Sequence, residues 1–299
     1  MRASVDELTA KIDAGEPLSD QDMATLGSSR DIIWLGMLAT TVRRRLRGNE
    51  VTYVRVADLP AIGEGGRPAD AAGEVRIFET PKTLDAAVAV VEKALDLAGD
   101  VPLSAFCLFE LGKLSEGLPV VLTALRKAGL EIVTQAPIDR LAAPARALEA
   151  LANAGLLLAR LTINDTPDRE WTAVCREVAA LQTRLGTIRS FAPLARRIDA
   201  TQPTTGYEDV RRIAISRVLA DNVDSIQVDW SLYGPKLAQV ALTFGADDID
   251  SVAATDDESQ GRRRSPVEEI RRSIQAAGFE PVERDGNFVH RRSSILERR

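Results

Sequence analysis

Asp229 and Trp230 stand side by side after a short apolar run, Ile226-Gln-Val, with Tyr233 and Lys236 in the next two helical turns. A carboxylate so placed can move a proton, and an indole beside it offers a flat face to a base or sugar. Glu110, Asn164 and Gln135 end or follow three other apolar runs in the same way. Asp229 and Glu110 are therefore the candidate acid/base groups. Asp229, Trp230, Tyr233, Gln135 and Asn164 are the candidate ligand-contacting residues. Asp229 fits equally well as a helix cap with Trp230 in the core, and Lys236 as a solvated helix residue. The Asp247-Asp248 pair reads as a helix-end or loop feature rather than a catalytic dyad.

The rest of the inventory excludes more than it offers. There are two cysteines, Cys107 and Cys175, and one histidine, His290. A protein-held iron–sulfur cluster needs three or four thiolates, and a structural zinc four Cys/His ligands. A Ser-His-Asp triad would have to draw on His290, in an arginine- and serine-rich tail. Cys107 lies among Phe106, Leu108 and Phe109, and Cys175 beside Val174 and Val178, so both read as small buried hydrophobes. No metal site is expected, and His290 reads as a surface residue.

Short apolar runs alternate with amphipathic stretches along most of the chain. Strands are expected at Val51–Val54, Val75–Phe78, Pro102–Phe109, Leu130–Gln135, Leu156–Ile163, Thr187–Leu194 and Ile226–Val228, with a last short segment running into Asp247-Asp248. Helices are expected between them, from Thr83, Pro119, Ala145, Glu170 and Gly206, and from about Pro235 to a stop at Gly245. Thr166 or Asp165 can cap a helix that starts at Pro167. Two short helices over residues 5–28, the second capped by Ser19 with Asp22 three positions on, and a longer one from Asp31 to Arg47 precede the first strand. The arginines at 43–45 and 47 suit a solvated C-terminal helix end. Strict alternation over six to seven units, with no G-x-G-x-x-G after any strand, predicts an α/β fold: a (β/α) TIM-type barrel, whole or trimmed around residues 55–80. The expected organisation is an N-terminal helical segment (1–50), the barrel (51–252), and a mobile charged loop, closing helix and tail (253–299).

A chain of 299 residues with 45% hydrophobic and 27% charged residues is that of an ordinary soluble globular protein. Its formal net charge of −6 argues against general nucleic-acid binding. No apolar run approaches the ~20 residues of a membrane span, and the acidic N-terminus is unlike a secretory signal. A cytoplasmic protein is expected.

The stretch from Ser225 to Asp250 resembles the C-terminal signature of a radical S-adenosylmethionine subgroup that includes the aminofutalosine synthase, the dehypoxanthinyl futalosine cyclase and the deazaflavin-forming synthase subunit. Residues 31–54 and 183–285 are similar to the same group and the middle loosely so, and Ser104–Glu110 resembles one of its strands, with Glu110 at the matched carboxylate. The resemblance implies a barrel, S-adenosylmethionine and a [4Fe–4S] cluster held by a CxxxCxxC loop after the first strand. Here that loop is replaced by a Gly/Pro/Asp-rich segment with no cysteine before position 107. The family's Tyr-Gly-His-Ile-Glu-Thr-Pro keeps only Asp165-Thr-Pro, and Ile163 stands for the histidine. Together these imply a cluster-free homologue in menaquinone (futalosine-pathway) metabolism. It would carry no resident cofactor, with S-adenosylmethionine admissible as a ligand. It would bind a nucleoside-like or other small molecule, as an accessory subunit forming a hetero-oligomer with a cluster-bearing relative. The other reading is a non-redox enzyme with Asp229 and Glu110 as its acid/base pair.

Overall fold

Eight runs of branched and apolar residues become parallel strands that close on themselves. The computed structural model describes residues 5–59, 68–165, 170–197, 205–255 and 266–291. The ring consists of β1 (Glu50–Asp58), β2 (Glu74–Ile77), β3 (Leu103–Cys107), β4 (Ile132–Pro137), β5 (Leu157–Ile163), β6 (Ile188–Ala195), β7 (Ser225–Asp229) and β8 (Asp248–Ala253). Each strand pairs with the next, and β8 returns to β1. Strands covered on both faces should be apolar throughout, and β3 is buried at every position.

The count is eight, above the six to seven expected, and the barrel is closed rather than partial. β1 meets β2 only at its own upper end, through Val56↔Glu74 to Asp58↔Arg76. Below them a ninth strand, β9 (Glu280–Glu283), pairs with Glu50–Tyr53 and fills the gap. That strand lies where the sequence suggested only a tail.

Helices cover the ring: α4 (Leu84–Ala98), α5 (Leu108–Leu111), α6 (Leu118–Lys127), α7 (Pro144–Asn153), α8 (Trp171–Leu185), α9 (Gly206–Leu219), α10 (Trp230–Leu242) and α11 (Pro266–Ala276). Before them come α1 (Val5–Ala14), α2 (Asp20–Ser28) and α3 (Ile32–Arg47), with α3 against α9 and α2 against α8. Ser19 and Asp22 form the expected reciprocal cap of α2. Leu108 and Phe109 belong to α5, so β3 ends at Cys107, two residues before the expected limit. The expected helix start at Thr166-Pro167, residues 60–67 of the replaced loop, and most of the expected mobile loop at 253–265 lie outside the described residues.

Two expectations are corrected. The arginines closing α3 are only in part the solvated helix end expected: Arg44 and Arg45 are exposed, but Arg43 is not. Arg43 is fully buried, donates to the carbonyls of Glu50 and Gly48, and lies 4.0 Å from the centre of the Phe279 ring. Arg45 reaches the Ile12 carbonyl at 2.7 Å, and Arg47 the Asp224 carbonyl at 3.0 Å. The second correction concerns α10, which starts at Trp230, one turn before the predicted helix. It breaks at Gly234 (φ 74, ψ 168) and resumes at Pro235, the residue predicted to open it.

Candidate functional site

The barrel's interior is charged. Residues two apart on a strand point to the same side, so Asp248 and Asp250 form one column on β8. At the lower level Asp248 accepts from Arg284 (2.6 Å), Thr52 (2.9 Å) and Gln227 (3.0 Å). Next to it Asp247 meets Arg217 at 2.7 Å and the backbone N–H of Ile226 at 2.9 Å. Asp247 lies in the loop before β8, as expected, whereas Asp248 opens the strand itself. The two carboxylates serve different arginines and tie β8 to its neighbours and to the C-terminal segment.

One level up, Arg76 puts its Nε and Nη2 on Glu74 (2.9 and 2.7 Å) and a further Nη2 bond on Asp250 at 2.7 Å. Arg160 also donates to Asp250 through Nη1. Ser104 donates to Glu74 at 2.5 Å, and Thr134 donates to Ser104 at 3.1 Å. Burial opposes charge on all of these groups, yet Arg160 and Arg76 hold Asp250 well below the ordinary carboxylate value. Burial also opposes the charge on Glu74, but Arg76 and then Arg160 outweigh it and lower that carboxyl. Asp58, at the end of β1 beside this network, is shifted up by burial.

At the C-terminal end of the strands the network reaches the mouth through Ser251. Its positive φ of 60° is unusual for serine and marks an irregularity that re-aims a side chain. The hydroxyl accepts from Arg76 at 3.3 Å and donates to Asp229 at 3.1 Å. Arg196 donates to the same Asp229 oxygen at 3.1 Å.

The residues singled out from the sequence fall into three groups. Asp229, 6% exposed, is the helix cap of its alternative reading: it caps α10 through the Leu232 N–H (3.0 Å) and also accepts from Arg196 and Ser251. Trp230 and Tyr233 are partly buried against the core, and Tyr233 donates to the Ala195 carbonyl. Burial raises the Tyr233 phenol above its ordinary value. Asn164 sits at the rim, its N–H on Asp139 at 2.7 Å and its side chain on Asp165 at 2.7 Å. Gln135 is half-buried on β4, in register with Arg160, and its Oε1 has no partner among the described residues. Glu110 is partly exposed on α5 and ion-paired with Lys113 at 2.7 Å. It follows β3, four strands around the ring from β7, so it is not brought together with Asp229.

Glu74, Arg76, Arg160, Arg196, Asp250 and Ser251 were not found by the sequence reading. Their signal was charge on alternate positions of buried strands, Glu74-Val-Arg76 and Asp248-Ile-Asp250. In an apolar lumen that pattern would carry heavy desolvation costs unless the charges pair.

Outside the ring, Leu108, Phe109, Leu118 and Leu141 line a groove of about 400 Å³ rimmed by Lys113, Arg140 and Arg146. Among the described residues no group of three His, Cys, Asp or Glu side chains could hold a metal. Cys107 and Cys175 are both buried, one ending β3 and one on α8. Burial raises both thiols, that of Cys175 to about 12. These residues do not fit a thiolate-held cluster. Among the described residues no helix is long and apolar enough to cross a membrane.

Fold and site together define a β/α barrel with a salt-bridged lumen. The chain is related to the radical S-adenosylmethionine enzymes of the futalosine group: residues 188–295 match the CofH/MqnC C-terminal region. An aminodeoxyfutalosine synthase of Streptomyces coelicolor is 36% identical over 94 residues, covering 29% of this chain and 24% of that protein. The cyclic dehypoxanthine futalosine synthase of the same organism is 32% identical over 123 residues, covering 38% and 31%. A 5-amino-6-(D-ribitylamino)uracil–L-tyrosine 4-hydroxyphenyl transferase 2 of Methanosarcina barkeri is 43% identical over 89 residues, covering 27% and 23%. The matched segments thus span about a quarter to a third of these relatives' lengths. The crystal structure of methylornithine synthase (PylB) superposes with a TM-score of 0.65 at 13% identity, covering 92% of this chain and 97% of that one. The [FeFe]-hydrogenase maturase HydG gives 0.66 at 13% identity, covering 94% and 77%. At such identity these two show the barrel fold alone.

Proposed function

We propose that this chain is a cluster-free homologue of the futalosine-pathway radical S-adenosylmethionine enzymes. It binds a nucleoside-like or other small metabolite at the mouth of its barrel and acts as an accessory or partner subunit. One observation carries the reading. The lumen is held by the chain's own Glu74–Arg76–Asp250–Arg160 network, while the two thiols lie buried in separate elements. Reductive cleavage of S-adenosylmethionine needs an electron delivered through a site-bound cluster, and the residues present do not fit one. A cluster-bearing relative in a hetero-oligomer would supply that chemistry. S-adenosylmethionine stays admissible as a bound molecule at the mouth, where Asp229, Arg196 and Ser251 meet.

The test has two arms. Treating the purified protein with iron and sulfide under reducing conditions should leave no visible-region absorbance of a [4Fe–4S] centre; stoichiometric cluster overturns the reading. A thermal-shift screen with futalosine-type nucleosides and S-adenosylmethionine should raise the melting temperature for at least one compound, because a ligand that binds the folded state stabilises it by mass action. No shift from any of them at millimolar concentration leaves an interaction-only scaffold.

A further inference from the structure

The Nε/Nη2 edge of an arginine presents two parallel N–H groups that match the two oxygens of a carboxylate. Arg76 fills this edge with Glu74, and Arg284 fills it with Asp248 (2.9 and 2.6 Å). Arg217 fills it with the Gly245 carbonyl (3.1 Å) and Asp247 (2.7 Å). Arg160 is buried to the same degree, at 2% exposed, but spends only Nη1, on Asp250. Its Nε and Nη2 are buried and, among the described residues, have no partner.

An unpaired fork of this kind is costly, because buried N–H groups of a charged side chain lose water without replacement. Two neighbours share the condition. Gln135, the register partner of Arg160 on β4, has its Oε1 unpartnered, and so does the hydroxyl of Thr162, two residues on along β5. Phe78, 36% exposed, lies with its ring 5.9 Å from the Arg160 guanidinium and 5.5 Å from that of Arg76. Both Phe78 and Gln135 stand toward the C-terminal ends of their strands, so the approach to the fork is from the mouth. The charge balance agrees: burial and then Arg76 lower the Arg160 guanidinium, whereas their own carboxylates raise Arg76 and Arg284.

We infer that the Nε/Nη2 edge of Arg160 is the seat of a carboxylate borne by the small molecule that enters the barrel mouth. Gln135 and Thr162 offer hydrogen bonds to the atoms beside that carboxylate. This inference rests on the mouth-ligand reading above and names the chemical class of its ligand: a small organic acid, or a larger metabolite with a free carboxylate. Arg76 and Arg160 already balance Glu74 and Asp250 in charge, so what a further carboxylate adds is hydrogen bonding: it gives the Arg160 fork the pairing that its counterparts on Arg76 and Arg284 have.

The probe is acetate, with acetamide as its uncharged isostere. Saturation-transfer NMR at pH 7 on the full chain should show acetate binding and little or no acetamide binding. Benzoate should compete with acetate, and the Arg160 Nε–H resonance should move as acetate is added. Arg160→Lys keeps the charge opposite Asp250 and removes the fork, so acetate should bind it about tenfold more weakly or worse. Equal binding of acetate and acetamide, an unmoved Nε–H resonance, or unchanged acetate affinity in a folded Arg160→Lys protein overturns the inference. The wild-type comparison and the resonance decide the matter even if the variant does not fold. Nucleosides that stabilise wild type and Arg160→Lys alike would leave the accessory-subunit reading in place while removing this one.

Discussion

Asp250 accepts from two guanidinium groups at once, and neither has another acidic partner that could replace it fully. Among the described residues Arg160 has none, and Arg76 would keep Glu74 alone. Asp250→Asn keeps the shape and removes the charge. It should cost about 3–5 kcal/mol, the range for breaking one side of a buried ion pair. Urea unfolding measures this, and a loss below about 1 kcal/mol would contradict the network's role. The pH dependence follows from the same groups. Asp250 and Glu74 are held below their ordinary values in the folded protein. Their contribution is therefore fully present above the unfolded carboxyl value of about 4 and is lost as pH falls through the lower folded values. Unfolding midpoints in urea should fall below about pH 4, and Asp250→Asn should show a shallower fall. Burial raises both thiols, so neither Cys107 nor Cys175 should react with a maleimide at pH 7.5 until the chain is unfolded. Mass spectrometry of native and urea-treated protein reads that difference.

Helices and strands were legible where the period was clean, and less so where local geometry did the work. The reciprocal cap Ser19/Asp22 stands in the sequence as a spacing of three, and the structure forms it. Ser19→Ala should cost about 1 kcal/mol, a typical N-cap loss, readable by thermal or urea unfolding. The start of α10 was not legible. Trp230 to Tyr233 carry no helical stripe of their own, and the turn forms because Asp229 caps it and Gly234 lets the chain break before Pro235. Gly234 adopts a φ/ψ that is essentially glycine-only, and a methyl group there would meet nothing within 4 Å. Gly234→Ala should therefore cost about 1–3 kcal/mol of backbone strain alone, with the fold retained. A neutral substitution, measured the same way, would show that the break relaxes freely. The lumen was the least legible part. Arg160 interrupts the apolar run Leu157–Ile163, and its partner Asp250 comes from the distant strand β8, so one segment at a time offers no reason for it. Long-range pairing supplies the reason, and local periodicity does not record it.

At the scale of the molecule, closure depends on the chain's last described elements. β1 touches β2 through three residue pairs at its upper end, and the gap beneath is filled by β9. β9 leads into Arg284, whose guanidinium is the forked partner of Asp248 deep in the ring. Phe279, just before β9, lies under the buried Arg43 of α3, so the same segment also anchors the N-terminal helices. Removing residues 266–299 would expose the edge of β1, leave Asp248 buried without its cation and uncover Arg43. An unpaired strand edge invites association, and an uncompensated buried charge is heavily destabilising. A chain ending at residue 265 should therefore show no cooperative thermal transition and should bind a hydrophobic dye, whereas the full chain melts in one step. Arg284→Met separates the two causes, since it removes the charge pair and keeps the strand. It should melt cooperatively at a lower temperature than the full chain. If the shortened chain also melts cooperatively at the full-length temperature, the ring closes through β1 and β2 alone, and β9 is an appendage rather than a stave of the barrel.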